Sequence, residues 1–296
     1  MTFTTRFAPS PTGPLHLGHA YSALLAHDMA RAENGTFLLR IEDIDQSRAR
    51  AAWETQIYDD LKWLGISWDA APVRQSDQMI RYSTALETLY DRDLIYPCSC
   101  NRRDIQSALS APQEGAVLPT GPDGLIYPGT CAPKRFANHT TPRDPAAVYR
   151  FATADAAHRF GTPCNDDMCL SFTETGHGPN DQTGTISVSS RAIPQTIGDI
   201  VIARRDMGTS YHLSVVLDDA DQDITHVIRG ADLFDATAIH VILQKSLGLP
   251  TPIYHHHALV RDDSGKRLAK RDDARAISKY RAEGATLDDI RHLVGL

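Results

Sequence analysis

His16 and His19 close a proline-rich stretch, Arg6-Phe-Ala-Pro-Ser-Pro-Thr-Gly-Pro-Leu-His-Leu-Gly-His19, and a basic run, Lys266-Arg267-Leu268-Ala269-Lys270-Arg271, stands near the other end of the chain. Imidazoles on the first turn of a helix can hydrogen-bond the phosphates of ATP, and Gly18 between them clears room for adenine against the backbone. The distant cations, Lys270 foremost, can close over the far side of a triphosphate and stabilise departing pyrophosphate. Each motif alone is weak. Histidines after a Pro/Gly loop usually mark no more than a helix start, and a Lys/Arg run is usually a solvated surface.

These residues need elements to hold them. Thr2–Phe7 reads as a short strand, 8–15 as a loop and His16–Asn34 as a helix with Leu17, Ala20, Leu24 and Met29 at helical spacing, stopping near Gly35. Thr36-Phe-Leu-Leu-Arg-Ile41 is dense enough in apolar residues for a buried parallel strand. Helices are expected at 49–64, 78–92 and 236–247, and strands at 148–151, 200–204, 213–217, 225–228 and 253–259. The strand–loop–helix–strand opening is a βαβ unit, so the expected class is α/β with a Rossmann-type doubly wound sheet. The Pro/Gly-rich stretch from Ser110 to Thr130, bracketed by cysteines, reads as a small inserted subdomain.

Composition sets limits. The chain has 296 residues, 23% charged and 42% apolar, and a net charge of −7. That is globular rather than disordered, and no apolar run suggests a membrane span. The N-terminus shows no signal pattern. An odd count of cysteines, five, fits a reducing cytoplasm better than a disulfide framework. The negative charge gives no global attraction for nucleic acid, so RNA contact would need a local basic patch.

Four ordered stretches resemble the glutamyl-tRNA synthetases and their truncated relatives, a class I aminoacyl-tRNA synthetase family. They are Arg6–His19, Arg40-Ile-Glu-Asp-Ile-Asp45, Tyr211-His-Leu-Ser-Val-Val-Leu-Asp-Asp219 and Thr225-His-Val-Ile-Arg-Gly-Ala-Asp-Leu233. In that family the two opening motifs are the HIGH and KMSKS elements. Arg267 and Ala269 stand where many members carry Lys and Ser, while Lys270 is retained. The resemblance implies a catalytic domain in two halves, 1–95 and 196–271. A zinc-binding insertion at 96–138, the rest of an inserted subdomain at 139–195 and a short helical tail at 272–296 complete the expected organisation, with no anticodon-binding domain.

Glutamate offers two carboxylates and one ammonium, so its pocket wants two cations, an anion and neutral donors. Arg6 and Arg229 suit the carboxylates through paired hydrogen bonds, Glu42 suits the ammonium, and Tyr211 can donate its hydroxyl. Singly, either arginine reads as a surface ion pair, and Glu42 with Asp43 and Asp45 as a helix N-cap cluster. The resemblance adds Phe7, Ala8, Pro9 and Ser10 to the glutamate site, gives His16, Gly18, His19 and Lys270 to ATP, and makes His16, His19 and Lys270 the catalytic set. Mg²⁺ is expected with ATP.

Cys98-Ser-Cys100 and Cys131 suit Zn²⁺, whose tetrahedral closure needs a fourth ligand. By resemblance that ligand is Tyr127, with His139 or water as the fallback. Cys164 and Cys169 read as structural or surface thiols. In His255-His256-His257, strand alternation sends the middle ring to the opposite face, which argues against one shared ion.

The lack of a long region after the basic run points to the truncated branch of the family. That branch implies tRNA-independent activation of glutamate and its esterification to queuosine at the wobble position of tRNA(Asp). The expected partners are ATP, L-glutamate and the queuosine-bearing anticodon loop, and the expected state is a cytoplasmic monomer. Arg102, Arg103, Arg204 and Arg205 are candidates for RNA backbone contact. Two alternatives stay open: a minimal glutamyl-tRNA synthetase charging a 3′ end, and an RNA-free adenylylating enzyme.

Overall fold

The computed structural model describes residues 2–110, 118–136, 142–261 and 275–296. The basic run 266–271, with Lys270, and His139 lie outside these residues. The chain opens with β1 (Thr4–Phe7), α1 (Leu17–Ala32), β2 (Thr36–Ile41), α2 (Ala51–Trp63) and β3 (Val73–Arg74). The three strands are parallel in the order β1-β2-β3. α1 buries Leu17, Ala20, Ala23 and Leu24 and ends in a left-handed turn at Asn34, φ 50°. Gly35 follows because a Cβ there would sit 2.3 Å from the Phe3 carbonyl oxygen.

The middle of the chain carries α3 (Met79–Asp91), β4 (Ile95–Pro97), α4 (Arg102–Ser110), β5 (Thr120–Gly121), β6 (Gly124–Leu125), β7 (Tyr149–Phe151), α5 (Thr153–Phe160), β8 (Thr162–Cys164), β9 (Asp167–Glu174), β10 (Gly184–Ser189), α6 (Ile193–Thr196) and β11 (Ile200–Ala203). It ends in α7 (Tyr211–Asp221), β12 (His226–Gly230), α8 (Thr237–Leu247), β13 (Ile253–His257), α9 (Ile277–Ala282) and α10 (Leu287–Val294). β12 and β13 pair in parallel, and β9 joins β13 in parallel at Tyr254 and Glu174. The Thr225 N–H donates to the Thr4 carbonyl at 3.0 Å, and the Thr4 N–H to Thr225 Oγ1 at 2.8 Å. That seam sets the two ends of the chain side by side, so β3, β2, β1, β12 and β13 follow one another as one doubly wound layer. β4, β7 and β11 form a separate antiparallel sheet.

Two expectations are corrected. Residues 213–217 are not a strand but lie inside α7, whose N-cap Ser210 accepts the Leu213 N–H. The helix is buried from His212 through Asp219, and a helix covered on all sides loses the periodicity that would distinguish it. Cys164 and Cys169 are not separate thiols. They are joined by a disulfide with a Cα–Cα distance of 5.7 Å. The turn around Asn165, φ 48°, folds β8 antiparallel onto β9, where Cys164 faces Asp167 and Cys169 faces Thr162, so the two cysteines meet diagonally across the pair.

One apolar core packs α3, α5, α7 and α8 around Tyr82, Leu86, Phe151 and Ile239; a second joins α1, α2 and α10 through Leu24, Phe37, Leu61 and Ile290. The tail reaches the histidine motif directly, through the Ile277 N–H bonded to the Leu15 carbonyl at 2.9 Å. Among the described residues no helix is long and apolar enough to cross a membrane.

Candidate active site

Open α/β sheets bind ligands beyond the carboxyl ends of their strands. Two adjoining clefts open there. The first, about 360 Å³, takes Arg6 and Phe7 from β1, Ala8, His16, Gly18 and His19 from the following loop and helix, Glu42 from just past β2, Tyr211 from the start of α7 and Arg229 from β12. The second, about 460 Å³, adds Pro9 and Ser10 and shares Phe7, Ala8, His19, Glu42 and Tyr211. Every residue named for glutamate or ATP within the described chain therefore lines one continuous region.

The histidines are fixed by the helix they start. His16 is the N-cap of α1: its Nδ1 accepts the Gly18 N–H at 3.1 Å, and His19 Nδ1 accepts the His16 N–H at 3.2 Å. An accepting Nδ1 leaves each neutral ring with its proton on Nε2, the tautomer a phosphate oxygen needs. The rings lie against each other at a 35° tilt, with centroids 3.8 Å apart.

The cleft floor is a buried ion network. Arg6 donates through Nε and a terminal nitrogen to the two carboxylate oxygens of Asp219, at 2.8 and 3.2 Å. Arg40, fully buried, donates to the same carboxylate at 2.7 Å. Asp218 beside it accepts from Gln75 and Tyr82, each at 2.8 Å. Burial pushes Glu42 above the usual carboxylate range, against the pull of Arg40 and Arg6. A ligand ammonium would restore its charge. Sequence reasoning passed over Arg40 and Asp219 as site residues. Their signal was a charge inside an apolar strand, Phe37-Leu-Leu-Arg-Ile41, and another inside an apolar helix.

Arg229 is held differently. Its Nε donates to His256 Nε2 at 3.0 Å, one terminal nitrogen to His240 Nδ1 at 3.1 Å, and the other to the Leu233 carbonyl and the Thr237 hydroxyl at 3.1 and 2.7 Å. The neighbouring histidines diverge as alternation requires. His256 turns to Glu174, His255 meets Thr175, and His257 meets Ser22 of α1 at 2.7 Å.

Cys98, Cys100 and Cys131 bring their sulfurs within 4.8 Å of one another. The Tyr127 oxygen accepts the Cys131 N–H at 2.7 Å and lies 3.5 and 3.4 Å from the sulfurs of Cys98 and Cys100. Tetrahedral zinc with bonds of about 2.3 Å places ligand sulfurs about 3.8 Å apart, close to the 3.5 Å between Cys100 and Cys131. Burial opposes ionisation of Cys131, but the Ser99 amide and the Tyr127 hydroxyl outweigh it and bring the thiol down to about 6. Three sulfurs and one oxygen in this arrangement fit a structural zinc site.

Beside the cysteines a third cleft, about 840 Å³, gathers Arg102, Arg150, Arg204 and Arg205 with Asp123, Asp199 and Asp206. Arg204 also lines the second cleft, so the two adjoin at this side chain. Arg103 is exposed on α4 and outside this group.

Residues 2–116 and 175–294 match the family model of the class I tRNA synthetases (E and Q), catalytic domain; residues 117–174 fall outside the match. A glutamyl-Q tRNA(Asp) synthetase of Rhodobacter capsulatus is 59% identical over 295 residues, covering 99% of both chains. One of Rhodopirellula baltica is 38% identical over 284 residues, 94% of this chain and 80% of that one. Among solved structures, a glutamate tRNA ligase of Elizabethkingia meningosepticum in complex with its amino acid superposes with a TM-score of 0.67 at 28% identity, over 92% of this chain. The present chain spans 53% of that ligase's length. The chain belongs to the class I tRNA synthetases of the E and Q type, a family of ligases, and to the branch whose curated members are named glutamyl-Q tRNA(Asp) synthetase.

Proposed function

We propose that this protein activates glutamate with ATP in the absence of tRNA and transfers the glutamyl group to queuosine at the wobble position of tRNA(Asp). One observation carries the reading. Four motifs far apart in sequence bring the guanidiniums of Arg6 and Arg229, the Glu42 carboxylate, the Tyr211 phenol and the imidazoles of His16 and His19 to one cleft, which Asp232 and His257 also line, and that set suits glutamate beside a triphosphate.

A glutamate carboxylate oxygen attacks the α-phosphorus in line, the bond to the β-phosphate oxygen breaks, and pyrophosphate leaves. A hydroxyl of the queuosine cyclopentenediol then attacks the acyl carbon and AMP departs. The protein's part is positioning and charge neutralisation. Arg6 and Arg229 with Tyr211 orient the carboxylates, Glu42 holds the ammonium, and Phe7, Ala8, Pro9 and Ser10 shape the wall. His16 and His19 hold phosphates beside Gly18, and Lys270 meets the pyrophosphate. Mg²⁺ bound to ATP would supply neutralisation of phosphate charge beside these residues. Cys98, Cys100 and Cys131, with Tyr127 as fourth ligand, would hold a structural Zn²⁺, which would fasten a segment with little core of its own. The cleft next to it, where Arg102, Arg150, Arg204 and Arg205 stand among Asp123, Asp199 and Asp206, would take RNA phosphates through its arginines.

The likeness to a solved glutamate tRNA ligase favours a second reading, charging of a tRNA 3′ end. Labelled glutamate, ATP and Mg²⁺ with purified tRNA(Asp) and tRNA(Glu), from cells with and without queuosine, separate the two. Label confined to queuosine-bearing tRNA(Asp) is expected. Label on tRNA(Glu) from both sources would replace the proposal with the second reading.

A further inference from the structure

Arg6 and Arg229 face the same cleft but stand in opposite electrical situations. The charge of Arg6 is cancelled by a two-point pair with Asp219. Arg229 is buried with no ion pair to any described residue, and four of its five N–H groups go to two imidazoles, a carbonyl and a hydroxyl. A guanidinium only donates, so both imidazoles must present a bare nitrogen to it. His256 accepts on Nε2 and therefore carries its proton on Nδ1, which donates to Glu174 Oε2. His240 accepts on Nδ1 and carries its proton on Nε2, which donates to His212 Nδ1 at 3.1 Å. His212 Nε2 in turn lies 3.4 Å from Asp123 of the β5–β6 turn.

We propose that His240 and His256 are positioning residues for Arg229, two neutral acceptors that lock the guanidinium while leaving its charge uncancelled, so that a substrate carboxylate supplies the missing anion. The inference rests on the reading that glutamate binds this cleft. An aspartate or glutamate in place of either ring would hold the arginine equally well but neutralise it, and the site would lose its preference for an acid over the matching amide. The surroundings favour the neutral forms. Burial first, then the positive charge of Arg229, hold His240 well below the ordinary imidazole range. The framework around His256 is also built to fit: Glu174 accepts the backbone N–H groups of both His256 and Gly176 through its other oxygen. A Cβ on Gly176 would lie 2.2 Å from the His256 carbonyl.

The test compares His240→Gln with His240→Glu in pyrophosphate exchange, with glutamate and with glutamine as the amino acid. Gln keeps an acceptor for Arg229 and a donor for His212, and should raise the glutamate KM by only about threefold. Glu supplies an internal counter-ion and should raise it about 30-fold, the loss expected when a charge-assisted hydrogen bond is diverted. The ratio of glutamate to glutamine kcat/KM should fall about tenfold with Glu, while the KM for ATP stays with the parent. Equal losses in both variants, or an unchanged acid-to-amide ratio in His240→Glu, would overturn the inference. If the Glu variant does not fold, ¹⁵N spectra of the parent decide. His240 protonated on Nε2 alone and His256 on Nδ1 alone support the inference; an imidazolium or the opposite tautomer at either overturns it. A parent protein without glutamate-dependent exchange would remove the underlying reading, and the inference with it.

Discussion

The floor of the candidate cleft is held by buried ions that pair with one another, whereas the cysteine cluster gathers three thiols and a phenol with no ion pair among them. Arg6, Arg40 and Asp219 meet at 2.7–3.2 Å and tie β1, β2 and α7 together without any ligand. At the cysteines the Tyr127 oxygen accepts the Cys131 N–H at 2.7 Å, Arg150 donates to Cys98 Sγ at 3.3 Å, and the remaining contacts among sulfurs and phenol run at 3.4–3.5 Å. The difference teaches where preorganisation comes from. One region is set by folding alone. The other has the shape of a site whose hold, on our proposal, an ion would supply.

Removing one member of the floor should break that contrast most severely. Arg40→Met leaves Asp218 and Asp219 buried without their shared cation and should cost about 3–5 kcal/mol, read by urea denaturation. A loss under about 1 kcal/mol would show that the network is not the clamp we take it to be.

The second prediction concerns the thiols. The purified protein should carry one zinc by elemental analysis. Cys131→Ser or a strong chelator should remove it and lower Tm by about 3 °C, as expected for about 2 kcal/mol in a chain of this size. Glutamate-dependent exchange should survive. Protein free of metal as isolated, with the same Tm in chelator, would remove zinc from the account.

Asp60 sharpens the comparison as a buried carboxylate without a counter-ion in contact. Its Oδ2 is buried and has no hydrogen-bond partner, and burial raises its pKa to about 6, only partly offset by Gln56 and Arg281. The unfolded group ionises near 3.8, so this group's penalty grows as pH rises from about 4 to about 6 and is constant above. Asp60→Asn should therefore stabilise by about 1–2 kcal/mol at pH 7 and by nothing near pH 3.5. Equal effects at both pH values would contradict the cause.

The smallest effect separates Arg229 from Arg6. His240 stays neutral when folded, so the unfolded chain binds its proton first and stability falls as pH drops below about 6.5. From pH 6.5 to 5.5 this one ring should cost about 1 kcal/mol, and His240→Gln should remove that share of the fall. No difference in slope between variant and parent would mean the ring is not held neutral.

Much of this was legible beforehand, for identifiable reasons. β1, α1 and β2 announce themselves because a covered parallel strand must be apolar and a one-sided helix must be periodic, and the four ordered motifs carry the family. The ion floor was harder to read. Arg40 and Asp219 sit within quoted motifs, but nothing local says that β2 and α7 meet. The same holds for Cys164 and Cys169, whose bridge depends on a turn at Asn165, and for α7, whose full burial erased its period. His240 carries no local signal at all, since its role exists only once β12, α7 and α8 are packed.

The central claim is that the cleft activates glutamate by itself. The most direct measurement is exchange of labelled pyrophosphate into ATP, without any tRNA, with glutamate, glutamine or aspartate in turn. Exchange with glutamate alone, abolished in Arg229→Leu, is the predicted result. Exchange that requires added tRNA, or that runs equally well with glutamine, would contradict it.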